Sequence, residues 1–249
     1  SLVEALYETP FFWILADKAY RSVGMEHRGD FTEEFSAEKL ALVFGETCVF
    51  KNIDIVDSKG NRAGEIDVLV VFSDRAVVLQ AKSKRLTIEA RKGNDLTLQD
   101  DFKKAVQDSY DQAYLCASLL TDSKYKLCDE TGSQITISRT YKEIFPVCVV
   151  SDHYPALSFQ ARQFLNFSQT DQIKPPFVMD IFLLDVLTEM LESPLYLLSY
   201  LNRRALYGEK ILAAHELTVL SYHLKQNLWM DDEYTMMQLG DDICADLDL

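Results

Sequence analysis

Apolar side chains recur at helical spacing over the first part of the chain and at spacing two immediately after it. Leu2, Ala5, Leu6, Phe12 and Leu15 predict an N-terminal helix reaching Arg21, interrupted at Pro10. Gly29-Asp30 predicts a loop. Thr32 as N-cap, Glu33 and Glu34 in the first turn, and the apolar face of Phe35, Leu42 and Val43 predict a second helix to Phe44, stopped by Gly45. Val49–Val56 then alternates as a strand, and Glu65–Phe72, rich in Ile and Val, and Arg75–Lys84 follow as the second and third, separated by the turns Ser58-Lys59-Gly60-Asn61 and Ser73-Asp74. Short turns between consecutive strands predict an antiparallel meander. After a loop over 86–99, Phe102, Val106, Ala113, Cys116 and Leu120 trace one stripe of a helix from Asp100 to Leu120. Residues 121–140 are a polar excursion. Ile144–Val150 and Phe177–Leu184 read as buried strands, and Leu187–Leu191, Pro194–Tyr207 and Ile211–Leu228 as helices. The order is that of a layered α/β domain whose sheet begins antiparallel.

Composition narrows this picture only slightly. The chain has 249 residues, 48% of them hydrophobic and 26% charged, which is ordinary for a globular protein with a sizeable core. No charge-free apolar run approaches the length of about 18 residues expected of a membrane span, and Phe11–Ala16 is too short for a signal peptide. Cys48, Cys116, Cys128, Cys148 and Cys244 are scattered, with no CxxC pair, so reduced thiols in a cytoplasmic protein are expected.

Charge is more informative. The net charge of −14 argues against a protein that coats polyanions. Seven of those negatives lie in residues 231–249, which hold no Lys or Arg and read as a solvating tail. From Lys82 to Lys104 the sign reverses, with Lys84, Arg85, Arg91 and Lys92 leading away from the third strand. Such a strip is compatible with phosphate tracking.

The chemistry-bearing residues sit on the strands. Gln80 and Lys82 share one face of the third strand because side chains alternate. Asp67 is early in the second strand, and an antiparallel turn brings it near Gln80 and Lys82. A carboxylate, an amide oxygen and an ammonium at one sheet end suit a Mg²⁺ or Mn²⁺ ion, which prefers oxygen ligands. The Ala81 carbonyl could join them. Lys82 would orient or deprotonate an attacking water, or stabilise developing negative charge. Glu38, on the preceding helix, could add a second carboxylate, with Glu34 as the alternative if the helix register differs. His215-Glu216 is not followed by the second histidine of a zincin, and no Walker loop, GxGxxG or GxSxG occurs.

The run Glu38…Gly64-Glu65-Ile66-Asp67…Gln80-Ala81-Lys82 resembles the PD-(D/E)XK nuclease superfamily, most of all the nuclease-related domain, NERD, with a Gln-x-Lys third strand of the Mrr type. The resemblance covers about residues 32–150. It implies a restriction-endonuclease-like core, αβββαβ, with a mixed sheet flanked by helices, to which the residue pattern beyond 150, where no family is recognised, adds a mostly helical C-terminal extension. It also implies divalent-metal-dependent cleavage of DNA. Asp67, Gln80 and Glu38 match the family's metal-site positions, Lys82 its lysine, and Gln112 a polar position on the following helix. The sequence departs by carrying Gln80 where most members have Asp or Glu.

The expected organisation is a helical segment over 1–31, a nuclease-like core over 32–150, an α/β extension over 151–229 packed on it, and an acidic tail over 230–249. The expected partner is DNA, reached by a homodimer or together with a fused or missing domain such as a helicase, with no membrane. Two other classes remain open. One is a catalytically inactive nuclease-shaped module that binds a protein or nucleic acid. The other is a domain that handles a small phosphorylated molecule.

Overall fold

The computed structural model describes residues 2–83, 100, 102–151, 165–231 and 233–240. Helix α1 (Leu2–Ala16) contains Pro10 and leads into α2 (Arg21–Phe44). The expected loop at Gly29-Asp30 is absent, because α2 runs straight through it. A glycine inside a helix costs about 1 kcal/mol, which packing over a long helix outweighs. Thr32 is correspondingly not a cap. Its hydroxyl donates back to the Arg28 carbonyl (2.8 Å), and Ser36 does the same to Thr32 (2.6 Å), so both small polar side chains are satisfied while buried. Their size lets α2 lie close to the sheet, with Ala37, Leu40, Val43 and Phe44 completing the buried face. Gly45 ends the helix at φ +84°, donating its N–H to the Ala41 carbonyl.

The meander follows as β1 (Val49–Val56), β2 (Arg62–Phe72) and β3 (Arg75–Lys82), all antiparallel. A π-helical turn at Lys103–Gln107 runs into α3 (Asp108–Leu120), which carries the chain back across the sheet. The polar excursion contains β4 (Lys126–Cys128), an edge strand on β1. Strand β5 (Glu143–Val150) then enters parallel to β3, and β6 (Phe177–Asp180) parallel to β5. The mixed sheet has six strands in the order β4-β1-β2-β3-β5-β6.

The second apolar run stops being a strand sooner than its composition suggests. The Asp180 carboxylate accepts the Leu183 N–H (2.8 Å) and so starts α4 (Ile181–Met190) inside the expected strand Phe177–Leu184. Ser193 and Pro194 open α5 (Pro194–Tyr207) in the same way. The expected helix Ile211–Leu228 is shorter. Ile211–Leu212 forms β7, and α6 covers Glu216–Gln226, ending at Asn227 in the left-handed region (φ +51°). Part of the presumed tail is ordered too. Met237–Gln238 forms β8 beside β7, and Leu239 is buried.

Each face of the sheet has its own core. Val68, Val70, Val77, Leu79, Val147 and Val149 face α2, α4, α5 and α6. Ile53, Ile55, Ile66, Leu69, Val78 and Ile144 face α3. In the C-terminal layer the buried Arg204 guanidinium meets Glu216 through Nε (2.5 Å) and Nη2 (3.0 Å), and the Tyr200 hydroxyl donates to the same carboxylate (2.7 Å). Among the described residues no helix is long and apolar enough to cross a membrane.

Gly64 sets how near α3 comes to β2. A Cβ there would lie 3.0 Å from the Cys116 sulfur. Gly64→Val is expected to lower the unfolding free energy by about 1–3 kcal/mol through overpacking. Cys116→Ala in the same chain should restore part of the loss. Equal denaturation midpoints for Gly64→Val and wild type, or strictly additive losses in the double variant, would show that the contact does not limit the approach.

Candidate functional site

The site forms where β2 and β3 stop pairing through their backbones. Their ladder runs from the turn to Val68–Leu79 and goes no further. At that point the strand alternation of β2 is reset. Ile66 faces the α3 side while Val68, two residues on, faces the α2 side. Across from Asp67, Asn52 on β1 takes φ +50°, a conformation asparagine tolerates better than most residues. Asp67 occupies the irregularity, and side chains replace the missing rungs. The Ala81 N–H donates to Asp67 Oδ2 (2.7 Å), and Gln80 Nε2 donates to the Glu65 carbonyl (2.6 Å).

Asp67 is 6% exposed and Gln80 fully buried. Burial pushes the Asp67 carboxyl above its usual range. The Ala81 N–H, the Lys82 ammonium and Arg62 pull it back only in part. The Gln80 amide is held in one orientation, because Glu65 offers only an acceptor to its nitrogen. Its oxygen, Oε1, is buried with no hydrogen-bond partner. A lone pair left unmatched in a buried position is costly, and native structures seldom leave one without a role.

Lys82 ends β3 on the α3 side, where its ammonium donates to Gln112 Oε1 (3.1 Å). Gln112 Nε2 reaches the same Glu65 carbonyl that Gln80 uses (3.4 Å), and the Cys116 thiol also points there (3.2 Å). Gln112 therefore holds the lysine from α3. Ser109 Oγ, one turn earlier, donates to the Gln80 carbonyl at the limit of bonding distance (3.4 Å). Burial pushes the Cys116 and Cys148 thiols up to about 12, so both stay protonated.

The acid that α2 brings to this place is Glu33. Its carboxyl is raised to about 7, first by burial, then by the charges of Asp67 and Asp30, with Lys82 opposing. Glu38 is not in position to act as the second carboxylate. Five residues further on, it lies about 140° around the helix. It is exposed, with its charge felt by Lys39, which binds Asp185 (2.5 Å). Glu34 also turns away and pairs with Lys51. With Thr32 as cap, the sequence pattern puts Glu33 in a helix first turn, where an acid is expected for the helix dipole alone. With α2 continuing upstream, Glu33 is mid-helix, and the signal that finds it is its spacing from the buried row Thr32, Ser36, Ala37 and Leu40. Glu65 pairs with Arg62, which also binds Asp54 (2.9 Å), and stands at the rim. The strip residues Lys84, Arg85, Arg91 and Lys92 lie outside the described residues.

The donor set suits a hard cation. No three His, Cys, Asp or Glu side chains among the described residues are grouped so that they alone could hold a metal ion. A divalent ion here would draw on Asp67, on Glu33, and on neutral oxygens, of which Gln80 Oε1 is the one left unpaired. Mg²⁺ accepts such a mixture, since it typically takes one or two carboxylates and keeps several waters.

Comparison with known families gives one match, the nuclease-related domain, over residues 28–151. No curated protein and no solved structure shows significant similarity to the chain. The matched segment starts within α2, five residues before Glu33, and ends just after β5, so it contains every site residue described above. The segment holds five strands of the six-stranded mixed sheet, and that sheet with its flanking helices is the arrangement of a restriction-endonuclease-like fold. Through residues 28–151, the chain belongs to the nuclease-related domain family.

Proposed function

We propose that the chain is a metal-dependent endonuclease acting on DNA, with Mg²⁺ or Mn²⁺ held by Asp67, Gln80 Oε1 and Glu33. The observation that carries this reading is the buried, unpartnered Gln80 oxygen on the strand that orients Asp67, together with Glu33, which is near enough to feel the Asp67 charge, and the burial that disfavours ionisation of both carboxylates. Each of these groups is poorly satisfied by the protein alone, and a divalent cation would satisfy them together. When bound, such an ion neutralises charge on a phosphodiester and lowers the pKa of a bound water.

The chain's own residues divide the remaining work. Asp67 is aimed by the Ala81 N–H, which leaves its second oxygen free of that bond. Gln80 is fixed by Glu65, so its oxygen is presented without rotamer freedom. Lys82, steered by Gln112, supplies the positive charge that a developing phosphorane and its attacking water require. Preorganisation of this kind matters because dipoles already in place need not reorganise during reaction. Glu33 compensates for the neutral Gln80 by supplying negative charge from the helix instead of the strand.

Purified protein should nick or cut plasmid DNA with Mg²⁺ or Mn²⁺, and EDTA should stop it. Asp67→Ala and Lys82→Ala are each expected to lower the cleavage rate by about 100-fold or more. Glu33→Gln should lose activity comparably while Glu38→Gln retains it. If the two helix variants behave in the opposite way, Glu38 is the functional acid and this assignment fails. A folded protein that neither cuts nor binds either ion at Asp67 would instead be a nuclease-shaped binding module.

Stability in EDTA gives a separate check on Glu33. Its folded-state pKa, about 7, exceeds the ordinary value of 4.5, so the folded form binds the proton more tightly than the unfolded chain. Its contribution to stability is complete below about pH 4.5 and is lost as pH rises through about 7. The melting temperature of Glu33→Gln relative to wild type should therefore climb across that window and level off above it. A difference that stays flat from pH 4.5 to 8 would mean that Glu33 titrates normally.

A further inference from the structure

The change of facing at Asp67 is matched on the neighbouring strand. On β1, Val49 packs on the α2 side, Phe50 on the α3 side, and Lys51 pairs with Glu34 of α2. Simple alternation would then return Ile53 to the α2 side. Ile53 and Ile55 instead pack on the α3 side. On β2 the same change falls between Val68 and Ile66. The register does not slip across this point, since Lys51 stands opposite Val68 and Ile53 opposite Ile66. Asn52 therefore stands directly opposite Asp67. Both strands change facing at that one pair, without gaining or losing a residue.

Asn52 has φ +50°. The other non-glycine residues at positive φ among the described residues are Ser73, in the β2–β3 turn, and Asn227 and Leu228, just past α6. Asn52 is the one inside a strand. A left-handed residue there turns the side chains that follow it over, at a free-energy cost that the surroundings must offset. The Asn52 side chain makes no hydrogen bond among the described residues, so its backbone, and not its amide, is what the site uses. We infer that Asn52 is a positioning residue for the metal site. Its left-handed backbone carries the change of facing through β1, which lets β2 turn at Asp67 and aim that carboxylate along the sheet at the Ala81 N–H (2.7 Å). With regular alternation in both strands, Asp67 would project toward the apolar core on the α3 side. That the aimed carboxylate serves a metal ion rests on the function proposed above.

Glycine adopts a positive φ freely, whereas valine resists it, so substitutions at position 52 separate backbone from side chain. Amide exchange of the full chain in EDTA, read by NMR, follows the Ala81 N–H, with the Val78 N–H in the paired part of β3 as internal reference. Asn52→Val should speed Ala81 exchange about tenfold or more relative to Val78, and Asn52→Gly should leave the ratio as in wild type. A general loss of stability would move both amides together, so the ratio isolates the geometry at Asp67. Calorimetric titration of the metal-free protein with Mn²⁺ should show Asn52→Val weakened about tenfold or more, the usual effect of losing a group that orients a ligand, and Asn52→Gly binding as wild type does. If Asn52→Val does not fold, Asn52→Ala, which resists positive φ less, takes its place in both measurements. An unchanged exchange ratio in the valine variant overturns the proposal. So does wild-type Mn²⁺ affinity in that variant, or an equal loss in the glycine variant, which would make the asparagine amide the working group. If wild type itself binds no Mn²⁺, the metal reading fails, and the Ala81 ratio still decides whether Asn52 aims Asp67.

Discussion

The architecture of the site depends on the early end of the β2–β3 ladder. Had the two strands kept pairing past Val68–Leu79 in the same register, Ile66 would have stood opposite Ala81, backbone to backbone. Because the strands part there, the Ala81 N–H donates to Asp67 instead, and Gln80 donates to the Glu65 carbonyl. Each side chain is thereby oriented by one atom and left with the other. The sheet gives up rungs, worth about 1 kcal/mol each in net terms, and in return holds two oxygens in fixed places within a buried opening. The sequence cost is visible in Asn52 at φ +50° and in the switched facing of Ile66 and Val68.

Electrostatics make the same place poorly satisfied as it stands. Burial raises the pKa of both Asp67 and Glu33, and the charges of Asp67 and Asp30 add to the pressure on Glu33. Lys82 counters each of them but is shared with Gln112. The C-terminal layer resolves its buried charges differently. Arg204 and Glu216 form a two-bond pair, with Tyr200 donating to the same carboxylate. The two charges neutralise one another, although Arg204 Nη1 keeps no hydrogen-bond partner. Two buried charge groups in one chain, one closed and one open, show that the imbalance at Asp67 is local and not a general consequence of the chain's acidity.

Much of this arrangement is readable from the residues, for identifiable reasons. Alternation marks β1, Val- and Ile-rich runs bounded by turn residues mark β2 and β3, Gly45 marks the end of α2, and Ser193-Pro194 marks the start of α5, because each signal is local. The facing of Gln80 and Lys82 follows from strand geometry alone. What escapes is decided by packing at a distance. Gly29-Asp30 looks like a break, yet the long face of α2 against α1 and the sheet carries the helix through it. Among Glu33, Glu34 and Glu38, only the direction of the sheet tells which acid turns inward. Asp180 hides a helix start in an apolar run, and β7 and β8 are too short to announce themselves.

The neutral Gln80 then becomes understandable within the proposed reading. An acid at position 80 would place a third carboxylate beside Asp67 and Glu33 in a low-dielectric opening served by one shared lysine. Like charges at that separation raise each other's pKa and leave one protonated. A glutamine keeps the oxygen and removes the charge. Its nitrogen donates to the Glu65 carbonyl, which a carboxylate could not do. With the second negative charge arriving from α2, the strand position is free to serve as both a strut and a ligand. On this argument, the glutamine and the inward turn of Glu33 are two halves of one solution, and neither is explained without the other.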